Sequence, residues 1–181
     1  DSVRNVRNED LYDLASVTKI SATLPLVMQL ASRKVINLKG VLGNYFPEVR
    51  GTNKEKLILE DILAHQAGLE AWIPFYTLTL QPLIPQKPLF SKIWSEEYPF
   101  RIEKNVYLFS HVGYKPGIYQ HDSSGIYGIR VADHLWLRNS WRDTIFRRIY
   151  ESPVSKRKTY LYSDLGFILL GRMVESVTGE P

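Results

Sequence analysis

Residues 14–20 read LASVTKI, and within this stretch Ser16 precedes Lys19 by three positions at the start of an apolar segment. Residues three apart on a helix lie on one face, so the Lys19 amine is close enough to take the proton of the Ser16 hydroxyl. A serine in the first turn also benefits from the helix dipole, which favours negative charge on its oxygen. The pattern therefore indicates a serine nucleophile that works without a histidine.

The composition is that of an ordinary globular protein, with 181 residues, 44% of them hydrophobic and 23% charged. No run of about 18 apolar residues is present, so no membrane span is predicted. The absence of cysteine excludes disulfides and thiolate metal sites, and neither a metal nor a cofactor is predicted. Basic residues are concentrated over 138–158; we interpret them as a solvated helix face in preference to a polyanion site, and no nucleic-acid module is recognisable.

The apolar periodicity predicts a largely helical chain. We expect Pro25 to kink or break the first helix, because proline removes a backbone hydrogen bond and clashes with the preceding turn. The region 70–132 is rich in aromatic residues and proline and has poor periodicity, which predicts irregular structure with short helical turns or hairpins. The predicted helices cover residues 16–34, 59–65, 133–151 and 165–177.

A second motif, Tyr162-Ser163-Asp164, comes directly before the last predicted helix. A phenol has an ordinary pKa near 10, and a neighbouring lysine cation favours its anion, so Tyr162 is a candidate general base beside Ser16. Asp164 is then a polar anchor for the substrate. The alternative is structural, with Tyr162 a packed aromatic residue and Asp164 the N-cap of the helix.

Three segments, LASVTK at 14–19, LEDILAHQAGL at 59–69 and YSDLGF at 162–167, occur in a recognisable order. With them the chain resembles the serine β-lactamase and penicillin-binding-protein superfamily. It is most similar to the class C β-lactamase and esterase-like branch. Within that branch it resembles the serine hydrolase domain that some bacteria attach to a β-N-acetylglucosaminidase.

The resemblance implies a role for each residue of the two motifs. Ser16 is the nucleophile that forms an acyl-enzyme, Lys19 is its activator, and Tyr162 is the acid/base partner. Asp164 is the substrate-binding residue, at a position where the family has asparagine. An ionised aspartate accepts hydrogen bonds but cannot donate the amide N–H that asparagine offers.

The chain departs from the family pattern at two further places. Ile58 stands where the family has a threonine cap for the short helix, and it cannot accept backbone hydrogen bonds. The K-T-G or H-x-G motif expected after the second motif, which supplies an oxyanion donor, is absent; the sequence His111-Val112-Gly113 precedes Tyr162 and is interpreted as coincidence. We interpret His65, which lies where the family often has histidine, as structural.

The resemblance also implies a fold. We expect a mainly α chain, the helical portion of the β-lactamase/DD-peptidase-like α+β fold, with most of the antiparallel sheet outside the chain. Residues 1–181 are then a single partial domain in which 70–132 is an insertion. Its uncovered apolar surface predicts self-association or covalent fusion to a glycoside hydrolase domain.

The function implied is that of a β-lactamase-like serine hydrolase acting on an ester, a β-lactam or a D-amino-acid peptide bond of the cell wall. The missing third motif predicts that this truncated chain is inactive. The alternative is a non-catalytic module that binds cell-wall glycan or peptide through the aromatic insertion. No secretory signal is visible, and the resemblance implies a periplasmic or extracellular location.

Overall fold

In the computed structural model, residues 5–180 are described, and they form two compact units. The first unit comprises the described parts of Asp1–Trp72 and Tyr150–Pro181, and the second comprises Ile73–Ile149. The α-helices are α1 (Leu24–Ser32), α2 (Leu59–Leu63), α3 (Ser140–Glu151) and α4 (Asp164–Thr178), with a π-helical turn at Lys19–Thr23 and 3₁₀ turns at Leu42–Asn44, Pro47–Val49 and Phe75–Thr79.

The first helical segment is interrupted before Pro25, close to where the sequence predicts a kink. The turn Lys19–Thr23 is π-helical, and the backbone N–H of Leu24 donates to the carbonyl of Lys19, five residues earlier. Regular helix α1 then begins, with Pro25 as its second residue, and the missing N–H of this proline removes a hydrogen bond to the preceding helical turn. The wider turn therefore separates the segment that carries Ser16 and Lys19 from the helix that anchors it.

The core of the first unit is built from the apolar faces of its helices. In α4, residues on nearly every side are buried, as the sequence predicts for this helix. Gly166 permits the close approach of α4 to α2, because a Cβ at this position would lie 2.9 Å from Cγ2 of Ile62. The residues of the first unit with at most 1% exposure include Val27, Leu42, Phe46, Val49, Leu59, Ile62, Leu165, Leu169, Leu170 and Met173.

The prediction of a mainly α chain is wrong. Helix accounts for 34% of the residues and strand for 17%, and the described strands form three small antiparallel sheets, all within the second unit. The strand orders are β1-β5, β2-β4-β3 and β6-β8-β7. The strands are β1 (Leu80–Pro82), β2 (Phe90–Ser91), β3 (Phe100–Glu103), β4 (Val106–Leu108), β5 (Val112–Tyr114), β6 (Tyr119–Gln120), β7 (Ile129–Ala132) and β8 (Leu135–Leu137).

The physical reason for this error is that the strands have two to four residues, too few for a period of two to emerge from the sequence. Two hairpins close through two-residue turns, in which Asn105 (φ 59°) and His134 (φ 49°) adopt left-handed conformations. The second of these hairpins also shortens the predicted helix 133–151. Its first residues form the β7–β8 turn and strand β8, and α3 begins only at Ser140.

Large apolar side chains of the first helical segment are exposed. Ile20 is 62% exposed and Met28 61% exposed, and Leu26 lies beside them on the same segment at 47%. This agrees with the expectation of an uncovered apolar surface, while self-association and fusion to a glycoside hydrolase domain stay predictions. Within residues 5–180, no helix has both the length and the hydrophobicity needed to cross a bilayer.

Lys54 is a fully buried cation in the first unit. Its ammonium donates to the backbone carbonyl of Ser152 at 2.5 Å and to Oδ1 of Asn53 at 2.9 Å. Burial lowers the pKa of Lys54 to about 8, and the charge of Glu70 opposes this only partly. The chain therefore carries a destabilising protonated group at neutral pH.

This burial predicts that the protein becomes more stable as the pH rises from about 8 towards 10.5. Over that range the unfolded lysine, with its pKa of 10.5, still binds a proton that the folded one has released, so the free energy of unfolding gains up to about 3 kcal/mol. Urea denaturation across this range measures the gain. Lys54→Met should abolish it, whereas Lys56→Met, at an exposed position, should retain it; equal pH dependence in both variants would contradict the prediction.

Candidate active site

The nucleophile candidate Ser16 lies three residues before Lys19, where the π-helical turn begins. The Lys19 ammonium donates to the Ser16 hydroxyl oxygen at 3.0 Å, so the two side chains of the first motif are in direct contact. Ala15, the residue before the serine, has a left-handed backbone (φ 42°), and its N–H donates to Oδ1 of Asp13 at 2.8 Å. The serine is therefore presented on a sharp turn at the entrance to the helix.

Asp164, the first residue of α4, forms an ion pair with Lys19. The distance from Nζ of Lys19 to Oδ1 of Asp164 is 2.6 Å, and the Lys19 side chain is only 16% exposed against 48% for Asp164. The same ammonium lies 5.1 Å from the centre of the Tyr162 ring. The four residues that the sequence singles out thus meet at one place, although Lys19 and Asp164 are 145 positions apart in the chain.

These contacts shift two pKa values in opposite directions. Hydrogen bonding to Ser16 and then to Lys19, with the lysine charge adding, lowers the pKa of the Tyr162 phenol. Burial by itself would lower the pKa of Lys19, but hydrogen bonds to Asp164 and Tyr162 outweigh it and raise that pKa above its ordinary value. Lys19 is therefore an ammonium near neutral pH, and the tyrosine oxygen is the more readily deprotonated partner of the serine.

Asp164 does not cap α4 as the structural alternative predicts. The N-cap position is occupied by Ser163, and its hydroxyl donates to the carbonyl of Glu70 at 2.6 Å instead of to the helix. The backbone N–H of Asp164 donates to the carbonyl of Ala71 at 2.8 Å. The Asp164 carboxylate instead pairs with Lys19 and lines the cleft described below.

His65 contacts the second motif, which sequence reasoning alone did not anticipate. Its Nδ1 accepts the backbone N–H of Ser163 at 3.0 Å, and its own carbonyl accepts the N–H of Leu161 at 2.9 Å. The imidazole centre is 4.5 Å from that of the Tyr162 ring and 5.4 Å from that of Phe167. The local signal that could have indicated this contact is the sequence H-x-x-G after a short helix, which predicts a turn but not its partner.

A cleft of about 500 Å³ opens over these residues within the first unit. Besides Ser16, Lys19 and Asp164, residues that the sequence does not single out line it. A ligand in this cleft would meet the Ser16 hydroxyl, the Asp164 carboxylate and apolar side chains. The additional lining residues are Ala15, Thr18, Thr23, Phe167 and Ile168.

Within residues 5–180, no group of three or more histidine, aspartate or glutamate side chains is arranged to hold a metal ion. The stretch His111-Val112-Gly113, which matches H-x-G in letters, lies in the second unit. Its Val112 and Gly113 belong to strand β5, where Gly113 pairs with Gln81 of β1. The interpretation of this stretch as a coincidence stays a prediction.

Comparison with known proteins supplies the wider context. A model of the Beta-lactamase family matches residues 1–87. An N-acetylmuramyl-L-alanine amidase of Bacillus subtilis is 25% identical over 97% of this chain and 30% of its own length. Putative D-alanyl-D-alanine carboxypeptidases of Salmonella paratyphi A and Salmonella typhimurium are each 24% identical over 94% of this chain and 29% of their own length. No solved structure gives a significant match.

The matches are to a β-lactamase family model and to proteins named as an amidase and as carboxypeptidases. These matches confirm the resemblance to the serine β-lactamase and penicillin-binding-protein superfamily that was inferred from the three segments. The chain spans less than a third of the length of the curated relatives that it matches.

Proposed function

We propose that the chain carries the nucleophile and the proton-transfer groups of a serine hydrolase that acts through an acyl-enzyme. One observation carries the proposal. The ammonium of Lys19 lies 3.0 Å from the Ser16 oxygen and 2.6 Å from Asp164, beside the ring of Tyr162. A nucleophile and a cation that line one cleft, with a phenol of lowered pKa beside the cation, are groups that acyl transfer uses.

In the first step, the oxygen of Ser16 attacks the carbonyl carbon of the substrate and forms a new C–O bond. The Ser16 proton passes to the oxygen of Tyr162 in its phenolate form; we assign this residue as the base because its pKa is lowered. Lys19 is already protonated and cannot accept that proton, but its charge stabilises the anionic oxygens on both sides of the transfer.

In the second step, the bond from the carbonyl carbon to the leaving group breaks, and Tyr162 returns its proton to the departing nitrogen or oxygen. The acyl group is then held as an ester on Ser16. Water then hydrolyses this ester. Tyr162 takes a proton from the attacking water and gives it to the Ser16 oxygen as the acyl group leaves. The cycle consumes one water and leaves the side chains unchanged.

Asp164 suggests which substrates fit. Its carboxylate can accept a hydrogen bond from a substrate N–H but cannot donate one to a substrate carbonyl. Peptide-like substrates that present an N–H beside the scissile bond meet this condition. One relative is named an N-acetylmuramyl-L-alanine amidase and another a putative D-alanyl-D-alanine carboxypeptidase. We therefore propose a cell-wall peptide or amide substrate, and with it a periplasmic or extracellular location.

Covalent labelling tests the proposal. The full-length protein is incubated with a fluorescent penicillin and, separately, with a short-chain nitrophenyl ester, and the label is mapped by mass spectrometry. We expect a single acyl adduct on the peptide that contains Ser16. The expected adduct is absent from Ser16→Ala and present in Ser21→Ala, whose hydroxyl donates to a backbone carbonyl of the same helical segment.

Two results would overturn this proposal. One is the absence of both labelling and ester turnover, which would favour the non-catalytic binding module. The other is labelling or turnover that persists unchanged in Ser16→Ala, which would place the nucleophile elsewhere.

A further inference from the structure

We propose that His65 is a positioning residue that holds Tyr162 against Ser16 and Lys19, and that it does so only while its imidazole is neutral. This inference rests on the proposed function, because Tyr162 matters for turnover only if Ser16 is acylated. The inference adds His65 to the site as a residue that positions Tyr162.

Two backbone hydrogen bonds to His65 flank Tyr162. The backbone N–H of Leu161, the residue before it, donates to the carbonyl of His65 at 2.9 Å. The backbone N–H of Ser163, the residue after it, donates to Nδ1 of the same histidine at 3.0 Å. A single residue therefore fixes the backbone on both sides of the tyrosine.

The aromatic contacts of the His65 ring reinforce this arrangement. Its centre lies 4.5 Å from the Tyr162 ring at an interplanar angle of 38°, and 5.4 Å from Phe167 of α4. Tyr160 approaches it edge-on at 6.0 Å. The Tyr162 ring is thus supported by His65, with the Lys19 ammonium 5.1 Å from its centre.

The backbone of His65 supports the same interpretation. Its φ of 55° lies in the left-handed region, which is uncommon for a residue other than glycine. His65 lies in the turn that follows α2. In this left-handed conformation, it accepts the backbone N–H groups of Leu161 and Ser163. A left-handed residue persists only where its surroundings hold it in place.

The bond to Ser163 determines which nitrogen carries the proton. Because Nδ1 accepts a backbone N–H, the neutral ring must carry its hydrogen on Nε2. A protonated ring has N–H groups at both nitrogens, so its Nδ1–H would face the N–H of Ser163 and the bond would be lost. Protonation therefore releases one of the two bonds that hold Tyr162.

The charged groups around His65 set the pH at which this happens. Burial is the main cause that lowers the pKa of His65, the Lys19 cation lowers it further, and the Asp164 carboxylate opposes both. The Tyr162 phenol is the other titratable group against the ring, with Tyr160 at its edge. The ring is therefore neutral at pH 7, and it becomes protonated only at a pH below 6.5, the ordinary pKa of histidine.

Two variants of the full-length protein separate positioning from mere stability. His65→Asn keeps an acceptor near the place of Nδ1, tolerates a left-handed backbone and has no proton to gain. His65→Ala removes the acceptor and the ring. The matched control is His121→Asn, which changes an exposed histidine of the second unit.

The measurements are the pH profile of ester turnover and the NMR titration of ¹⁵N-histidine and ¹³C-tyrosine labelled protein. We expect His65→Ala to lose roughly 10- to 100-fold in kcat/KM at pH 7, because a misplaced catalytic group costs about that much. His65→Asn should recover most of this loss. Below the pKa of His65, kcat/KM of the wild type should fall relative to that of His65→Asn by at most the factor lost in His65→Ala, roughly 10- to 100-fold. His121→Asn should follow the wild type.

The inference is overturned if His65→Ala keeps the wild-type rate and profile, or if His65→Asn is as impaired as His65→Ala while both retain native circular dichroism. If the wild type shows no Ser16-dependent turnover, the proposed function is refuted, and the NMR titration then tests the positioning role of His65 by itself. In that case the Ser163 amide and Tyr162 ring signals must still titrate together with His65. If the Ser163 amide and Tyr162 ring signals do not change as His65 titrates, the positioning role is refuted.

Discussion

Replacing Tyr162 by phenylalanine should slow the acylation of Ser16 by a factor of about 10² to 10⁴, the range that a general acid or base contributes. Phenylalanine keeps the ring against His65 and beside the Lys19 ammonium, so the change removes the phenol oxygen alone. Without this oxygen the serine proton has no acceptor, because Lys19 is held as a cation by Asp164.

Stopped-flow measurement of acylation by a nitrophenyl ester tests this expectation. Tyr160→Phe is the matched control, since Tyr160 also lies against His65 but is 67% exposed and makes no contact with Lys19 among the interactions described. The control should acylate at the wild-type rate. A Tyr162→Phe variant that acylates within threefold of the wild type would remove tyrosine from the mechanism and return the base role to Lys19.

Much of this candidate site is predictable from the sequence, because its two motifs are local. Ser16 and Lys19 are brought together by helical spacing, and the hydrogen bond between them joins residues only three positions apart. The place of Tyr162 is predictable only through the resemblance, since 143 positions separate Lys19 from it. The ion pair between Lys19 and Asp164 requires the packing of α4, which no local pattern encodes.

What could not be predicted depends on backbone geometry or on very short elements. The contact from His65 to Ser163 exists because a non-glycine residue adopts a positive φ after α2, and sequence gives no reliable signal for that. The sheets of the second unit consist of strands of two to four residues whose pairing is decided by turns such as that at Asn105. Helix α4, by contrast, is long and apolar, and its predicted span 165–177 differs from the observed Asp164–Thr178 by one residue at each end.

Gly68, in another part of the first unit, packs against the segment before Tyr162 with no room for a side chain. Gly68 has a φ of 75°, and a Cβ added there would lie 2.2 Å from the backbone oxygen of Ser155. The carbonyl of Gly68 also accepts the N–H of Ser155 at 2.8 Å, and the next residue, Leu69, pairs with Val154. These contacts join the segment after α2 to the segment that leads to Tyr162.

Gly68→Ala should therefore destabilise the protein by about 2–4 kcal/mol, combining roughly 1 kcal/mol for a left-handed alanine with 1–3 kcal/mol for the overpacked contact. This corresponds to a fall in Tm on the order of 10 °C, measurable by calorimetry. Gly171→Ala is the matched control, because Gly171 lies inside α4 and a Cβ there meets nothing within 4 Å. That substitution should stabilise the protein by about 0.5–1 kcal/mol through helix propensity alone. If both alanines shift Tm by the same amount and sign, the close approach of Gly68 to Ser155 does not constrain the folded state, and the segment that leads to Tyr162 is held by His65 without it.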